Sequence, residues 1–141
     1  RLLADIADPE NRIADFQIIH TYSRKQAIDD GVLIDVSNMA KEAGIKFPVA
    51  ITTTLYHDLI EPSSDIADLG QSTEGRLRDV LTVFRFSAKG HSGPHLHFRV
   101  SFITGISSSG GVVQRTLNLK AICHPGDDLE PVITIMLPEE D

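Results

Sequence analysis

The sequence predicts a single α+β domain, and three observations predict it. The last third alternates apolar and polar residues over three separate stretches, the signature of strands with one buried face. Thr73 to Lys89 instead repeats its apolar residues with the period of a helix. The first half is a mosaic of short apolar runs punctuated by Gly and Pro, too brief for a long-helix bundle or a regular βα repeat. At 141 residues the chain fits one core. The expected division is a loose N-terminal arm over residues 1–15 and one domain over 16–141.

In chain order, Phe16 to Tyr22 is a short β-branched run that reads as a strand. Ser23 followed by Gln26 fits a capping box, and Gly31 offers the left-handed residue that closes a two-turn helix over Ser23 to Asp30. Val32 to Val36 is the next strand. Ser37 or Asn38 is positioned to cap a helix over Met39 to Ala43 that Gly44 ends. Val49 to Thr52 is extended, and one of Thr52 to Thr54 caps a helix over Leu55 to Ile60. Pro62 to Ser72 reads as a loop.

In the Thr73 to Lys89 helix, Leu77, Val80, Leu81 and Phe84 form one apolar stripe, with Arg76, Asp79 and Arg85 placed off it. The stripe needs a sheet to cover. Leu96, Phe98, Val100 and Phe102 alternate with His95, His97, Arg99 and Ser101. Leu117, Leu119, Ala121 and Cys123 alternate with Thr116, Asn118 and Lys120, and Ile133, Ile135 and Leu137 with Val132, Thr134 and Met136. Short connections between the three favour an antiparallel meander. In the turn after Cys123, Pro125 presets φ and Gly126 is expected at positive φ.

Composition narrows the functional classes. A formal charge of −7 disfavours sequence-independent binding to phosphate backbones. No apolar run is long enough to span a bilayer and there is no basic-then-apolar leader, so a cytoplasmic setting is expected, with residue 1 an Arg rather than Met. Cys123 is the only cysteine, which excludes an internal disulfide and agrees with a reducing compartment. Its place on the apolar strand face suits an inert buried thiol.

The histidines are the one departure from ordinary composition. His95 and His97 are two apart on a strand, so both rings project from one face, and His91 lies close by. The phrase SGPHLHF resembles the second motif of the lysostaphin and LytM zinc endopeptidases, which implies zinc on His97 and catalytic assistance from His95. That family also needs an upstream His-x-x-x-Asp; the chain offers only His57 to Glu61. Two solvent-face residues of an amphipathic strand account for the pair without a metal.

A second stretch, IIHTYSRKQAIDDGVLIDV, resembles the first motif of the ADP-ribosyltransferases, which implies His20 on a nicotinamide ribose, with Tyr56 and Glu130 as the available partners. A strand edge and a capped helix account for it equally. Asp127, Asp128 and Glu130 lack the ligand alternation of a calcium loop, and Glu139 to Asp141 read as a solvated acidic tail. Arg76, Arg78, Arg85 and Lys89 read as a solvated helix face, with an anion patch as the alternative.

Over a longer span, YSRKQAIDDGVLIDVS, FPVAIT, GRLRDVL and PGDDLEPVITIMLPEED resemble an uncharacterised family of small bacterial proteins also met on plasmids and in phages. The resemblance implies a bacterial or mobile-element origin and no activity. The expectation is a binding protein, an inhibitor or sequestering factor for a protein or small-molecule partner, and not an enzyme. A zinc hydrolase on His95 and His97 is the first alternative and an NAD-binding protein on His20 the second. Candidate ligand-binding residues are His95, His97, Arg99, Asn118 and Lys120 on the polar sheet face and His20, Tyr22 and Arg24 at the first strand–helix junction. Candidate metal ligands are His91, His95 and His97. No cofactor is expected, zinc being the alternative.

Overall fold

Left-handed glycines close the first two helices in the same way. The computed structural model describes residues 22–60 and 72–140. Helix α1 (Arg24–Asp29) starts where the Ser23 hydroxyl accepts the Gln26 amide at 2.9 Å. It ends at Gly31, φ 79°, where the Val32 amide reaches Ala27 O and the Gly31 amide reaches Ile28 O, a Schellman closure. Strand β1 (Leu33–Asp35) follows. Helix α2 (Ser37–Glu42) closes identically, with Gly44 at φ 91° and the Ile45 amide on Ala40 O. A side chain at 44 would also meet Arg85, which lies 2.8 Å from where a Cβ would stand.

Strand β2 (Val49–Thr52) runs into α3 (Thr53–Leu55), capped by the Thr52 hydroxyl on the Leu55 amide at 3.2 Å, and then into a π-helical turn, Tyr56–Ile60. The expected cap is therefore found, on a short α-helical turn that widens into π-helical geometry. The expected cap of α2 is not. Ser37 lies inside that helix and its hydroxyl donates instead to Asp35 Oδ1 at 2.5 Å, while accepting the Val49 amide at 3.0 Å.

Helix α4 (Thr73–Ala88) begins at Ser72, whose hydroxyl accepts the Gly75 amide, and packs on β3 (His95–Ile106). Phe84 meets Phe98 with ring centroids 5.7 Å apart. The reading that placed Arg76 off the stripe needs correction: Arg76 is buried, its guanidinium 5.0 Å from the Phe102 ring centroid and donating to Ile103 O. It lies one helical row above Val80 and Phe84, and its aliphatic stem extends their apolar stripe. Burial lowers its pKa from the usual arginine range.

Strands β4 (Val112–Pro125) and β5 (Pro131–Met136) complete a five-stranded sheet ordered β1-β2-β5-β4-β3. The β3/β4 and β4/β5 pairs are antiparallel, and the two short N-terminal strands, each expected on its own, join these three in one sheet. β2 lies parallel to β5 and β1 antiparallel to β2, which makes the sheet mixed. Leu96, Phe98, Val100, Leu119, Ala121, Ile133, Ile135 and Ile51 face α4 and the other core helices. Ile51, Leu55, Leu81, Leu119 and Ile135 are wholly enclosed, and each contributes about 1.5–3 kcal/mol relative to exposure. The fold class is α+β. Among the described residues, no helix is long and apolar enough to cross a membrane.

The turn after β4 differs from expectation. Gly126 is absent from the positive-φ residues, and Leu129, φ 66° and 83% exposed, takes the left-handed position. Gly126 is instead a point of close approach, since a Cβ there would lie 2.6 Å from Glu130 Oε1 and 2.9 Å from Val132 Cγ1. The expected strand over Phe16 to Tyr22 and loop over Pro62 to Ser72 lie outside the described residues, Tyr22 and Ser72 excepted, as does the arm over residues 1–15.

Candidate functional site

The sheet face away from α4 is assembled from the other half of each alternation. The registers set His95, Ile122, Thr134, Ala50 and Asp35 in one row across the five strands, and His97, Lys120 and Met136 in the next. α1 lies over the β5 part of this face, with Ala27 buried beneath it. That is why Val132, Thr134 and Met136 are buried although they point away from the main core.

Two contacts hold α1 there. Asp127, in the β4–β5 turn, accepts the Arg24 amide at 2.8 Å and the Lys25 amide at 3.0 Å. With Ser23 on the next amide, three free N–H groups of the helix start are satisfied. The Lys25 and then the Arg24 amide hold the Asp127 carboxyl below its ordinary pKa. In the other direction, Arg24 Nη1 donates to Thr134 Oγ1 at 2.8 Å and Nη2 to Ile133 O at 2.7 Å. Burial draws the arginine pKa down, opposed by the charges of Asp35, Asp127 and Glu130.

The network continues through His124, whose Nδ1 lies 3.1 Å from Pro125 O and Nε2 2.9 Å from Thr134 Oγ1. A carbonyl only accepts, so in the neutral ring the proton sits on Nδ1 and Nε2 accepts from the Thr134 hydroxyl. That hydroxyl accepts from Arg24 and donates to His124, and so links the two side chains. Glu140 closes the far side, its Oε1 accepting from Thr52 Oγ1 at 2.8 Å and from the Leu137 amide at 2.9 Å, while its backbone carbonyl accepts from Lys120 Nζ. Glu140 is thus tied down rather than part of a solvated tail.

These groups border a cleft of about 720 Å³ between α1, the β1 and β2 ends and the β4–β5 hairpin. Its walls combine Ala27, Val32, Leu33, Ile122 and Met136 with the hydroxyls of Tyr22, Thr52, Thr53, Thr54 and Thr134. Tyr22 donates to Asp30 Oδ2 at 2.7 Å, and that bond raises the phenol pKa. Arg24 has five N–H groups, of which the described residues engage two. The cleft is therefore a small-molecule-sized hollow with an apolar wall, fixed hydroxyls and a cation with donors to spare.

The described candidates from the sequence fall on this one face, His91 excepted, which lies ahead of β3 and borders the other side of the sheet. Tyr22 and Arg24 line the cleft, Lys120 is tied to Glu140 beside it, and His95, His97, Arg99 and Asn118 extend away from it along β3 and β4. His20 lies outside the described residues. His95 and His97 are exposed, and His91 Nε2 donates to the His95 carbonyl at 2.7 Å. Among the described residues, no three His, Cys, Asp or Glu side chains are grouped to hold a metal. Tyr56 packs edge-on against His57 at 5.3 Å, and Glu130 bonds the Asp128 amide within its own turn. Cys123 is half-buried against the core.

Sequence reasoning missed His124, Thr134 and the helix-capping role of Asp127. The available signal was Thr134, a hydroxyl amid the apolar run PVITIM, which alternation sets on the same face as Lys120. Comparison with curated proteins and with solved structures finds no match. One family model does match, described as a family of unknown function, DUF6573, and it spans residues 10–141, so the chain belongs to that family.

Proposed function

We propose that this chain is a non-enzymatic binding protein whose cleft takes a small molecule carrying a hydrogen-bond acceptor, a carboxylate or carbonyl, against Arg24. The observation that carries the reading is the Arg24 guanidinium, anchored by Thr134 and Ile133 yet with three of its five N–H groups unused by the described residues. Anchoring fixes the orientation of the planar fork before a ligand arrives, which lowers the entropy cost of binding. The Thr134 hydroxyl accepts from Arg24 and donates to His124, which ties the guanidinium to the sheet. The single cysteine supports a reducing setting, and the likeness of the sequence to small bacterial and mobile-element proteins supports a protein working there in the manner of a sequestering factor.

The test is thermal unfolding of the wild type and of Arg24→Met in the presence of a panel of small carboxylates and nucleotides. A ligand at one hundred times its Kd stabilises by about 2.7 kcal/mol. The reading expects at least one compound that raises the wild-type midpoint and leaves Arg24→Met unmoved. Turnover of a compound, or shifts of equal size in both proteins, contradicts it.

A further inference from the structure

The opposite side of the molecule carries a second surface with a different chemistry. Beyond the end of α4 the core face of the sheet is left partly open, and a groove of about 690 Å³ lies between α4 and the loop after α2. Phe84, Ala88 and Ile133 form its floor, while Phe47 and Phe86 stand on it 44% and 63% exposed. A second hollow of about 220 Å³ shares Phe47, Phe84, Ala88 and Ile133 with it and runs on over Leu96 and Cys123 to His91. Together they make one apolar trough floored by residues that elsewhere in the sheet are core.

Its rim is cationic. Lys46, Arg85 and Lys89 line the larger hollow, and neither hollow is lined by an acidic side chain among the described residues. None of the three cations has an ion pair among the described residues, whereas Lys25 and Arg78 on other surfaces pair with Asp29 and Glu74. Arg85 passes over Gly44, whose missing side chain leaves room for it. On a chain of formal charge −7, three cations with no ion pair among the described residues, set around exposed aromatic rings, are the reverse of the average surface. Aromatic and arginine side chains together are also the residues that dominate binding energy at protein interfaces.

We infer that this trough docks an acidic peptide segment of a protein partner, with one or two large apolar side chains seated against Phe47, Phe84 and Phe86 and its carboxylates on Lys46, Arg85 and Lys89. The charges steer the encounter and the rings hold the anchor, so affinity falls with salt without vanishing.

The test is fluorescence anisotropy of a labelled peptide in which Asp and Glu flank one Phe and one Leu, with a control peptide carrying Lys in place of the acids. The full chain is expected to bind the acidic peptide and not the control. The double substitution K46E/R85E and, separately, Phe86→Ala are each expected to weaken it about tenfold. These side chains are exposed, and far-ultraviolet circular dichroism checks that both proteins remain folded. Arg78→Ala, in the N-terminal half of α4 and outside both hollows, is expected to leave peptide binding unchanged. Absence of binding, or equal binding by wild type and K46E/R85E, overturns the inference. So does sedimentation showing a dimer that Phe86→Ala abolishes, because a second copy would then be the occupant.

Discussion

The Arg24 backbone amide donates to the Asp127 carboxylate at 2.8 Å, across 103 residues of sequence. The hairpin turn between β4 and β5 thereby caps the first helix, while the side chain of the same Arg24 reaches back to Thr134 and Ile133 on β5. One residue is held by both its main chain and its side chain, and the wall of the cleft is set by that pairing.

Asp127 gives the first prediction. Its folded pKa is depressed, so its contribution to stability is present above the unfolded carboxylate value, about 3.9, and is lost as pH falls through the lower folded value. Asp127→Asn is therefore expected to be less stable than the wild type at neutral pH and to converge with it under acid. Urea unfolding at a series of pH values checks this; a constant gap down to the acid end would sink the capping role.

Thr134 gives the second. Thr134→Val keeps the shape but strips the hydroxyl that serves both Arg24 and His124, and the expected loss is about 1–3 kcal/mol. Thr134→Ser restores the oxygen and should recover most of it. Denaturant midpoints compare the three proteins, and equal stability of the Val and Ser variants would mean that the network carries no weight.

The turn gives a pair of opposite effects. Leu129 is exposed with φ 66°, a conformation costing an L-residue about 1–2 kcal/mol, so Leu129→Gly is expected to stabilise after the larger unfolded-state entropy of Gly is set against it. Gly126→Ala is expected to destabilise, because the new Cβ would meet Val132, itself 1% exposed and unable to move aside. Thermal midpoints moving in the same direction in both variants would contradict this reading of the hairpin.

Much of the fold was legible because it is local. Ser23, Gly31, Gly44 and Thr52 act on amides within a few residues, and strand alternation needs only its own stretch. Arg76 was misplaced because a charged head hides a long apolar stem when residues are sorted by type alone. The parallel pairing of β2 with β5 joins Val49 to Ile133, and no local pattern encodes a register between strands so far apart. The same holds for the cleft: Arg24 is a candidate from the sequence, but nothing local joins it to His124 and Thr134, and only the docking of α1 on β5 makes the three one network.

Deletion of the core provides a scale for these effects. Leu81 is wholly enclosed, and Leu81→Ala is expected to cost about 2–5 kcal/mol, whereas Phe86→Ala should leave stability nearly unchanged and act on peptide binding alone. Paired unfolding and binding measurements separate the two, and a large stability loss in Phe86→Ala would show that this ring belongs to the core.

The central claim is that the Arg24 cleft is where a ligand binds. Its most direct measurement is nuclear magnetic resonance of the nitrogen-15-labelled chain during titration with acceptor-bearing small molecules, following the Arg24 side-chain N–H and the Thr134 and His124 amides. The account predicts that a binding compound shifts these three together and that Arg24→Met abolishes the response. Shifts confined to His95 and His97, with Arg24 unmoved, would contradict it.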